Sequence, residues 1–199
     1  MTVVVDGVIF SLDQPGPAQV WREVLPRLAS DLGMRLVLLD RGDTPGGFDG
    51  VDVVPFPSYD PGLGAADSIL LEQMCRHFDA DVFISTWSTT PLETPSVMLV
   101  DDSRDRHEHA IAVAHARRFV CVSATAKADL LEGHPELTAS SVAVAGPDVE
   151  LADALTHELR RCAADRAAGR FADFGLRWKE LRQIQAAVNV WGPQPPTRP

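Results

Sequence analysis

The stretch that decides the fold runs from residue 3 to residue 40 and reads VVVDGVIFSLDQPGPAQVWREVLPRLASDLGMRLVLLD. Its first part, Val3 to Phe10, is rich in β-branched residues and stops at a Pro/Gly segment, which predicts a strand buried on both faces. Its middle has apolar residues at helical spacing from Ala18 to Leu32, and Pro26 predicts a kink in that helix. Its last part, Met34 to Asp40, is a second apolar run. The stretch therefore predicts a strand, a helix and a second, parallel strand.

The same alternation continues downstream. Strands are predicted at 51–56, 81–86, 96–101, 119–123 and 142–145, and helices at 65–78, 104–117 and 125–133. Pro55 predicts a strand end or a sheet edge, and Ser123 predicts an N-cap for the helix that Gly133 ends. Since only crossover helices cover both faces of a parallel sheet, the sequence predicts a single Rossmann-like, doubly wound α/β sheet of about seven strands.

The C-terminal part of the chain predicts helices alone. They cover about 150–168 and 171–190 and are expected to pack back on the sheet. The predicted domains are therefore a Rossmann-like domain at 1–148, a helical extension at 149–190 and a disordered tail at 191–199. An apolar helical stripe near the C-terminus predicts packing on the sheet or an interface with a protein partner or a second copy; it contains Trp178, Leu181, Ile184 and Trp191.

Length, charge and cysteine content restrict the classes of function. The 199 residues have a formal net charge of −10, which disfavours nucleic acid and anionic lipid as partners. No apolar stretch is long enough to span a bilayer, and the N-terminal segment reads as a buried strand rather than a signal peptide. Three widely spaced cysteines, Cys75, Cys121 and Cys162, favour buried thiols and a cytoplasmic location.

Five segments occur in an order that resembles a known family. They read VVVDGVIFSL (3–12), RLVLLDR (35–41), DADVFISTWSTTP (79–91), TPSVMLVDD (94–102) and VCVSATAKADLL (120–131). This order resembles the N-terminal domain of retaining, mannosyltransferase-like glycosyltransferases of the GT-B fold, from Thr2 to Gly146. In that family the N-terminal domain binds the acceptor and the C-terminal domain binds the nucleotide-diphosphate sugar. The resemblance therefore implies an acceptor-side domain without the donor-binding half.

The resemblance places a ligand crevice at the carboxyl ends of the strands, where helix N-termini also converge. The candidate acceptor-binding or ligand-binding residues are Gln14, Gly16, Gln19, Thr86, Trp87, Ser88, Thr89, Ser123 and Thr125. The Trp87 ring suits a sugar because it can stack on the apolar face of a pyranose, although it can equally plug a domain edge. Asp101 and Asp102 are candidates for acceptor-binding or general-base carboxylates, with helix capping as the alternative.

No metal or cofactor is expected. Asp101, Asp102, Asp105, His107 and His109 do not predict a metal site, because on a helix the two histidines point about 200° apart. The sequence also lacks the Walker, Gly-x-Ser-x-Gly and Gly-x-Gly-x-x-Gly signatures of phosphate, hydrolase and dinucleotide sites.

Three departures from the family pattern leave two functions open. Pro15-Gly16-Pro17 replaces the family's flexible glycine pair and predicts a stiffened loop after the first strand; the segment after the fifth strand is short; and the donor half is missing. The first hypothesis is an acceptor-binding half that takes part in glycosyl transfer with a partner. The second is a catalytically inactive relative that binds other proteins as an accessory or scaffold subunit. A third hypothesis is that the sequence is an N-terminal fragment of a longer gene product.

Overall fold

The computed structural model of the chain describes residues 1–31, 33–87, 89–101, 110–146 and 150–171. Its strands are β1 (Thr2–Asp6), β2 (Arg35–Asp40), β3 (Val51–Pro55), β4 (Val82–Ser85), β5 (Ser96–Val100), β6 (Ala116–Cys121) and β7 (Val142–Val144). Its α-helices are α1 (Val8–Ser11), α2 (Pro15–Ala29), α3 (Gly64–His77), α4 (Ala110–His115), α5 (Ala124–Gly133) and α6 (Leu151–Ala167).

The strands form one sheet in the order β3-β2-β1-β4-β5-β6-β7, and every neighbouring pair is parallel. The predicted Rossmann-like, doubly wound sheet is therefore confirmed. Pro55 lies at the end of β3, which is an edge strand, as its missing amide hydrogen predicts. The chain winds from β1 toward β3 on one side and from β4 toward β7 on the other, so the order of strands reverses between β1 and β4.

Helices cover both faces of the sheet. On one face α2 and α6 pack against each other and against the strands, with Trp21, Leu25, Leu155 and Leu159 buried in one apolar cluster. The opposite face carries α3 over β1 and β2, and α4 and α5 over β5 and β6. The return of α6 onto the sheet confirms the predicted packing of the C-terminal extension as far as residue 171. The second predicted helix and the tail at 191–199 lie outside the described residues.

The first strand ends four residues earlier than predicted, at Asp6, and Val8–Ser11 forms a single helical turn. The pairing partners set this end, because β2 pairs with β1 as far as Asp6 and β4 as far as Val5. At the next residue the Gly7 amide donates to the Leu39 carbonyl at 2.9 Å, and a Cβ on Gly7 would lie only 2.5 Å from that oxygen. Strand β1 therefore ends at Asp6, and the chain continues into α1.

Two other boundaries also differ from the prediction. The segment Pro15-Gly16-Pro17 forms the first turn of α2 rather than a stiffened loop, since a proline at the first helical position loses only an amide that has no partner there. The helix continues through Pro26 to Ala29. Strand β6 begins three residues earlier than predicted because it pairs with β5 along that strand's whole length. Among the described helices none is long and apolar enough to cross a bilayer.

Candidate functional site at the carboxyl edge of the sheet

The carboxyl ends of β1, β2 and β4 bring three polar residues to one edge of the sheet. Asp6 ends β1, Arg41 follows β2, and Thr86 follows β4. Because the strands are parallel and adjacent, these ends lie side by side at the position where the strand order reverses. In open α/β sheets this is the position at which ligands bind.

A buried arginine dominates this edge. Arg41 Nε donates to Asp6 Oδ1 at 2.6 Å and Nη2 donates to Asp6 Oδ2 at 2.9 Å. On its other side Nη1 and Nη2 donate to the two carboxylate oxygens of Asp67, on α3, both at 2.9 Å. The side chains of Asp6 and Arg41 are fully buried. One guanidinium thus joins β1, β2 and α3 by two bidentate ion pairs.

The hydrogen-bonding capacity of Arg41 is used completely within the protein. Its fifth N–H, on Nη1, donates to the carbonyl of Pro57 at 3.2 Å, and the rings of Phe56 and Tyr59 lie 4.8 and 5.6 Å from the guanidinium carbon. Burial alone would lower the pKa of Arg41, but the hydrogen bonds and charges of Asp6 and Asp67 outweigh it and raise that pKa. Arg41 therefore has no donor left to bind a phosphate or a carboxylate.

The loop after β4 is attached to the same aspartate at two points. Thr86 Oγ1 donates to the Asp6 carbonyl at 2.6 Å, and Thr89 Oγ1 donates to Asp6 Oδ2. Between them, the carbonyl of Trp87 accepts a hydrogen bond from Ser85 Oγ at 2.9 Å, and the half-buried Trp87 ring packs against the core. Thr86 and Thr89 are themselves buried. Both hydroxyls thus point to the interior, whereas the Trp87 side chain is partly exposed.

Comparisons with known proteins give a fold but not a family. No protein-family model matches the sequence, and no characterised protein matches it. The UDP-GlcNAc 2-epimerase of Neisseria meningitidis, whose structure was solved with UDP-GlcNAc bound, is similar with a TM-score of 0.51 and 12% identity over 73% of this chain. A glycosyltransferase from Rickettsia africae is similar with a TM-score of 0.50 and 15% identity over 72% of this chain. The fold is glycosyltransferase-like.

The alignment with these proteins is partial on both sides. The chain covers 46% of the epimerase and 42% of the glycosyltransferase, which is less than half of each. The assignment of the glycosyltransferase-like fold to an acceptor-side domain stays a prediction.

Three of the candidate ligand-binding residues lie at or near the N-terminus of α2. Gln14 is the N-cap residue but makes no side-chain capping hydrogen bond, and Gln14, Gly16 and Gln19 are all exposed. Because Pro15 and Pro17 have no amide hydrogen, Gly16 carries the single N–H of the first three helical residues. The N-terminus of a helix is suited to an anion because its first amide hydrogens are unpaired, and in α2 two of the first three are missing.

The candidates after β5 and β6 lie farther along the edge. Ser123 caps α5 as predicted, accepting from the Ala126 amide at 2.9 Å, and Thr125 is exposed in the first turn. Strand β5 lies between β4 and β6, so the distance from β4 to β6 across the sheet is about 10 Å. Asp101 follows β5 and is half-buried. The structure thus brings Thr86, Trp87 and Thr89 together but places Ser123 and Thr125 apart from them.

Several predicted residues lie outside the described part of the chain. They are Ser88, Asp102, Asp105, His107, His109, Trp178, Leu181, Ile184 and Trp191. Within the described ranges no group of three or more His, Cys, Asp or Glu side chains is arranged to hold a metal ion. The predicted absence of a metal at 101–109 remains a prediction.

The sequence did not predict the central Asp6–Arg41–Asp67 network. These residues are separated by 35 and 26 positions, so no local motif connects them. One signal was available: Asp6 interrupts the apolar run VVVDGVIF, and a carboxylate inside a buried strand requires a buried partner. The buried thiols were predicted correctly, and burial raises the pKa of Cys75 and of Cys162 to about 12.

Proposed function

We propose that this chain is an acceptor-side half of a glycosyl-transfer system and acts with a donor-binding partner. The observation that carries the proposal is the carboxyl edge between β1 and β4, where Trp87 is held on a loop with two buried attachments to Asp6. An aromatic ring at this position is suited to the apolar face of a sugar. The exposed Gln14 is the N-cap residue of α2, and the exposed Gln19 lies in the second turn, where its side chain hydrogen-bonds Glu23 and Arg22. In this proposal both amides turn to the hydroxyl groups of the sugar.

The need for a partner follows from charge. Transfer from a nucleotide-diphosphate sugar requires groups that neutralise the leaving diphosphate. Arg41 uses all of its donors on Asp6, Asp67 and Pro57, and the first turn of α2 lacks two of its amide hydrogens. The chain spans less than half of its structural neighbours, one of which was solved with UDP-GlcNAc bound. In this proposal the groups that bind the diphosphate come from another domain or subunit.

A second function is favoured by the same saturation of Arg41. In this second proposal Arg41 binds Asp6 and Asp67 instead of a ligand, and the chain is a catalytically inactive accessory subunit. Its partner would then be a protein of a biosynthetic pathway or a second copy of the chain. Both functions are proposed for a cytoplasmic location, in line with the buried, reduced cysteines.

Calorimetry separates the two functions. The purified chain is titrated with methyl glycosides and with nucleotide sugars including UDP-GlcNAc, first alone and then with the products of neighbouring genes. We expect the chain alone to bind a methyl glycoside and not a nucleotide sugar. Binding of a nucleotide sugar by the chain alone would overturn the need for a donor-binding partner. A stable protein complex together with no glycoside binding would establish the accessory function instead.

Variants of exposed glutamines test where the glycoside binds. Gln14→Ala and Gln19→Ala are expected to weaken glycoside binding by about fivefold each, which corresponds to one lost hydrogen bond. Gln73→Ala is the control, because Gln73 is likewise an exposed glutamine but lies on α3. An equal loss in all three variants would place the glycoside elsewhere.

A further inference from the structure

We propose that the Asp6–Arg41–Asp67 network is a positioning device for the loop that carries Trp87. Its residues do not contact the ligand in this proposal. They fix the loop, and the loop presents the Trp87 ring. The ligand part of this inference rests on the proposed function, whereas the positioning part concerns the protein alone and is tested without a ligand.

The contacts form a continuous path from α3 to the loop. Asp67 is fixed by the helix and holds one side of the Arg41 guanidinium by two hydrogen bonds of 2.9 Å. The other side of the guanidinium holds both carboxylate oxygens of Asp6. Because both pairs are bidentate and buried, the orientation of the Asp6 carboxylate is fixed. That orientation directs Oδ2 to the hydroxyl of Thr89.

The loop is constrained on both sides of Trp87. Thr86 is attached to the Asp6 carbonyl and Thr89 to the Asp6 carboxylate, so a single residue of β1 fixes two loop positions three residues apart. Thr86 Oγ1 also accepts from the Ile9 amide at 3.3 Å, which ties the loop to α1. The Ser85 hydroxyl holds the Trp87 carbonyl. Trp87 therefore lies on a loop whose flanking residues are tied to β1 and α1.

This arrangement changes the roles of the residues in the loop. Thr86 and Thr89 are buried and bound to Asp6, so they are positioning residues and not ligands. Trp87 is half-buried and supplies an apolar ring face. The part of this loop that meets a ligand would thus be the Trp87 ring face rather than the hydroxyl groups of Thr86 and Thr89.

The test uses the full chain labelled with 5-fluorotryptophan and observed by ¹⁹F NMR, with the Trp87 resonance assigned from its loss in Trp87→Phe. Thr89→Val removes the hydroxyl that binds Asp6 and keeps the side-chain shape. Thr90→Val is the matched control, because Thr90 is buried in the same loop and its hydroxyl donates to the Pro91 carbonyl, at 3.2 Å. Thr89→Ser keeps the hydroxyl and is the rescue variant. Asp67→Asn tests the far end of the path.

We expect Thr89→Val to shift the Trp87 resonance by more than its line width and to increase its H₂O/D₂O isotope shift. Thr90→Val and Thr89→Ser are expected to leave both quantities unchanged, and Asp67→Asn to change them in the same direction as Thr89→Val. Equal changes in Thr89→Val and Thr90→Val, or none in Thr89→Val, would overturn the proposal. If Asp67→Asn does not fold, the pair of threonine variants still decides the matter.

A ligand titration separates this inference from the proposed function. With methyl α-mannopyranoside as the probe, Thr89→Val is expected to bind about fivefold more weakly than Thr90→Val. If the wild-type chain binds none of this probe while the ¹⁹F results are as expected, the positioning role stands and the sugar-binding role is lost. If the probe binds and the ¹⁹F signal is indifferent to Thr89, the reverse holds.

Discussion

Two arginines bound by pairs of carboxylates have different surroundings: the fully buried Arg41, after β2, and the partly buried Arg118, on β6. Arg41, at the carboxyl edge, lies between Asp6 and Asp67, and all five of its donors have partners inside the protein. Arg118, on β6, binds Glu158 and Asp165 of α6, and its Nε is buried without a hydrogen-bond partner in the described part of the chain.

Each arginine binds two carboxylates, but the Arg41 cluster and the Arg118 cluster differ in their exposure to water. The Arg41 cluster holds two carboxylates and one guanidinium and excludes water from Asp6 and Arg41 completely. In the Arg118 cluster Glu158 also binds Arg161, and Asp165 also binds Arg170. The side chains of these two further arginines are 42% and 62% exposed. Water and spare arginines can therefore compensate a lost contact at Arg118 but not at Arg41. The first cluster fixes the loops of an edge, and the second attaches a helix to the sheet.

The largest expected effect comes from removing the two arginines in turn. Arg41→Met leaves two carboxylates without their counterion, one of them fully buried, and is expected to lower the free energy of unfolding by about 3–5 kcal/mol. Arg118→Met is expected to cost about 1–3 kcal/mol, because Arg161 remains on Glu158 and Arg170 on Asp165. Urea unfolding at pH 7, with unchanged dependence on urea, measures both values. Equal losses would show that the two clusters are equivalent.

The second effect concerns the crowding of the edge beside Asp6. Gly7→Ala places a Cβ 2.5 Å from the Leu39 carbonyl oxygen, so β1 and β2 must move apart where Asp6 meets Arg41. We expect a loss of about 1–3 kcal/mol, as for overpacking in a core. Gly16→Ala is the control, because a Cβ there meets nothing within 4 Å and alanine favours the helix by about 1 kcal/mol. Thermal unfolding of both variants checks the opposite signs.

A third prediction uses a position remote from both arginines. Ser123→Ala removes the hydroxyl that caps α5 and is expected to cost about 1 kcal/mol. Ser140→Ala, in an exposed 3-10 turn where the hydroxyl contacts the hydroxyl of Thr138, serves as the control and is expected to be neutral. In a double variant with Arg41→Met the cost of Ser123→Ala is expected to add to that of Arg41→Met. A clear departure from additivity in urea unfolding would indicate that the Arg41 cluster reaches α5.

The smallest expected effect is a pH dependence of the Arg118 cluster. Burial tends to raise the pKa of Asp165, but the hydrogen bonds and charges of Arg118 and Arg170 outweigh it and hold that pKa below its usual value. A carboxyl with a lowered pKa stabilises the fold above the pKa of the unfolded chain, and this stabilisation is lost as the pH falls through the folded value. Asp165→Asn is therefore expected to lose less stability than the wild type between about pH 5 and pH 2.

Thermal unfolding across this pH range measures the difference, which is expected to be less than about 1 kcal/mol because water partly screens the pair. A larger loss in Asp165→Asn than in the wild type would contradict the assigned direction of the pKa.

Much of the fold was predictable because it is written in short-range patterns. The apolar strands, the helix cap at Ser123 and the edge position of Pro55 depend on residues close in sequence, and each was predicted correctly. The predicted end of β1 was wrong because the true end depends on Leu39, a residue on another strand. The predicted loop at Pro15-Gly16-Pro17 was wrong because proline is compatible both with a loop and with the start of a helix.

The candidate site was predicted less well than the fold. The sequence identified the loop from Thr86 to Thr89 as a polar segment at a strand end. It did not show that both hydroxyls point to Asp6, because that requires β1 and β4 to be neighbours.

By itself the sequence determined the class of fold, because periodicity and capping act over a few residues. Only the tertiary structure decided that Asp6, Arg41 and Asp67 form one buried network, because strand order places their charges within hydrogen-bonding distance across stretches of 26 and 35 residues.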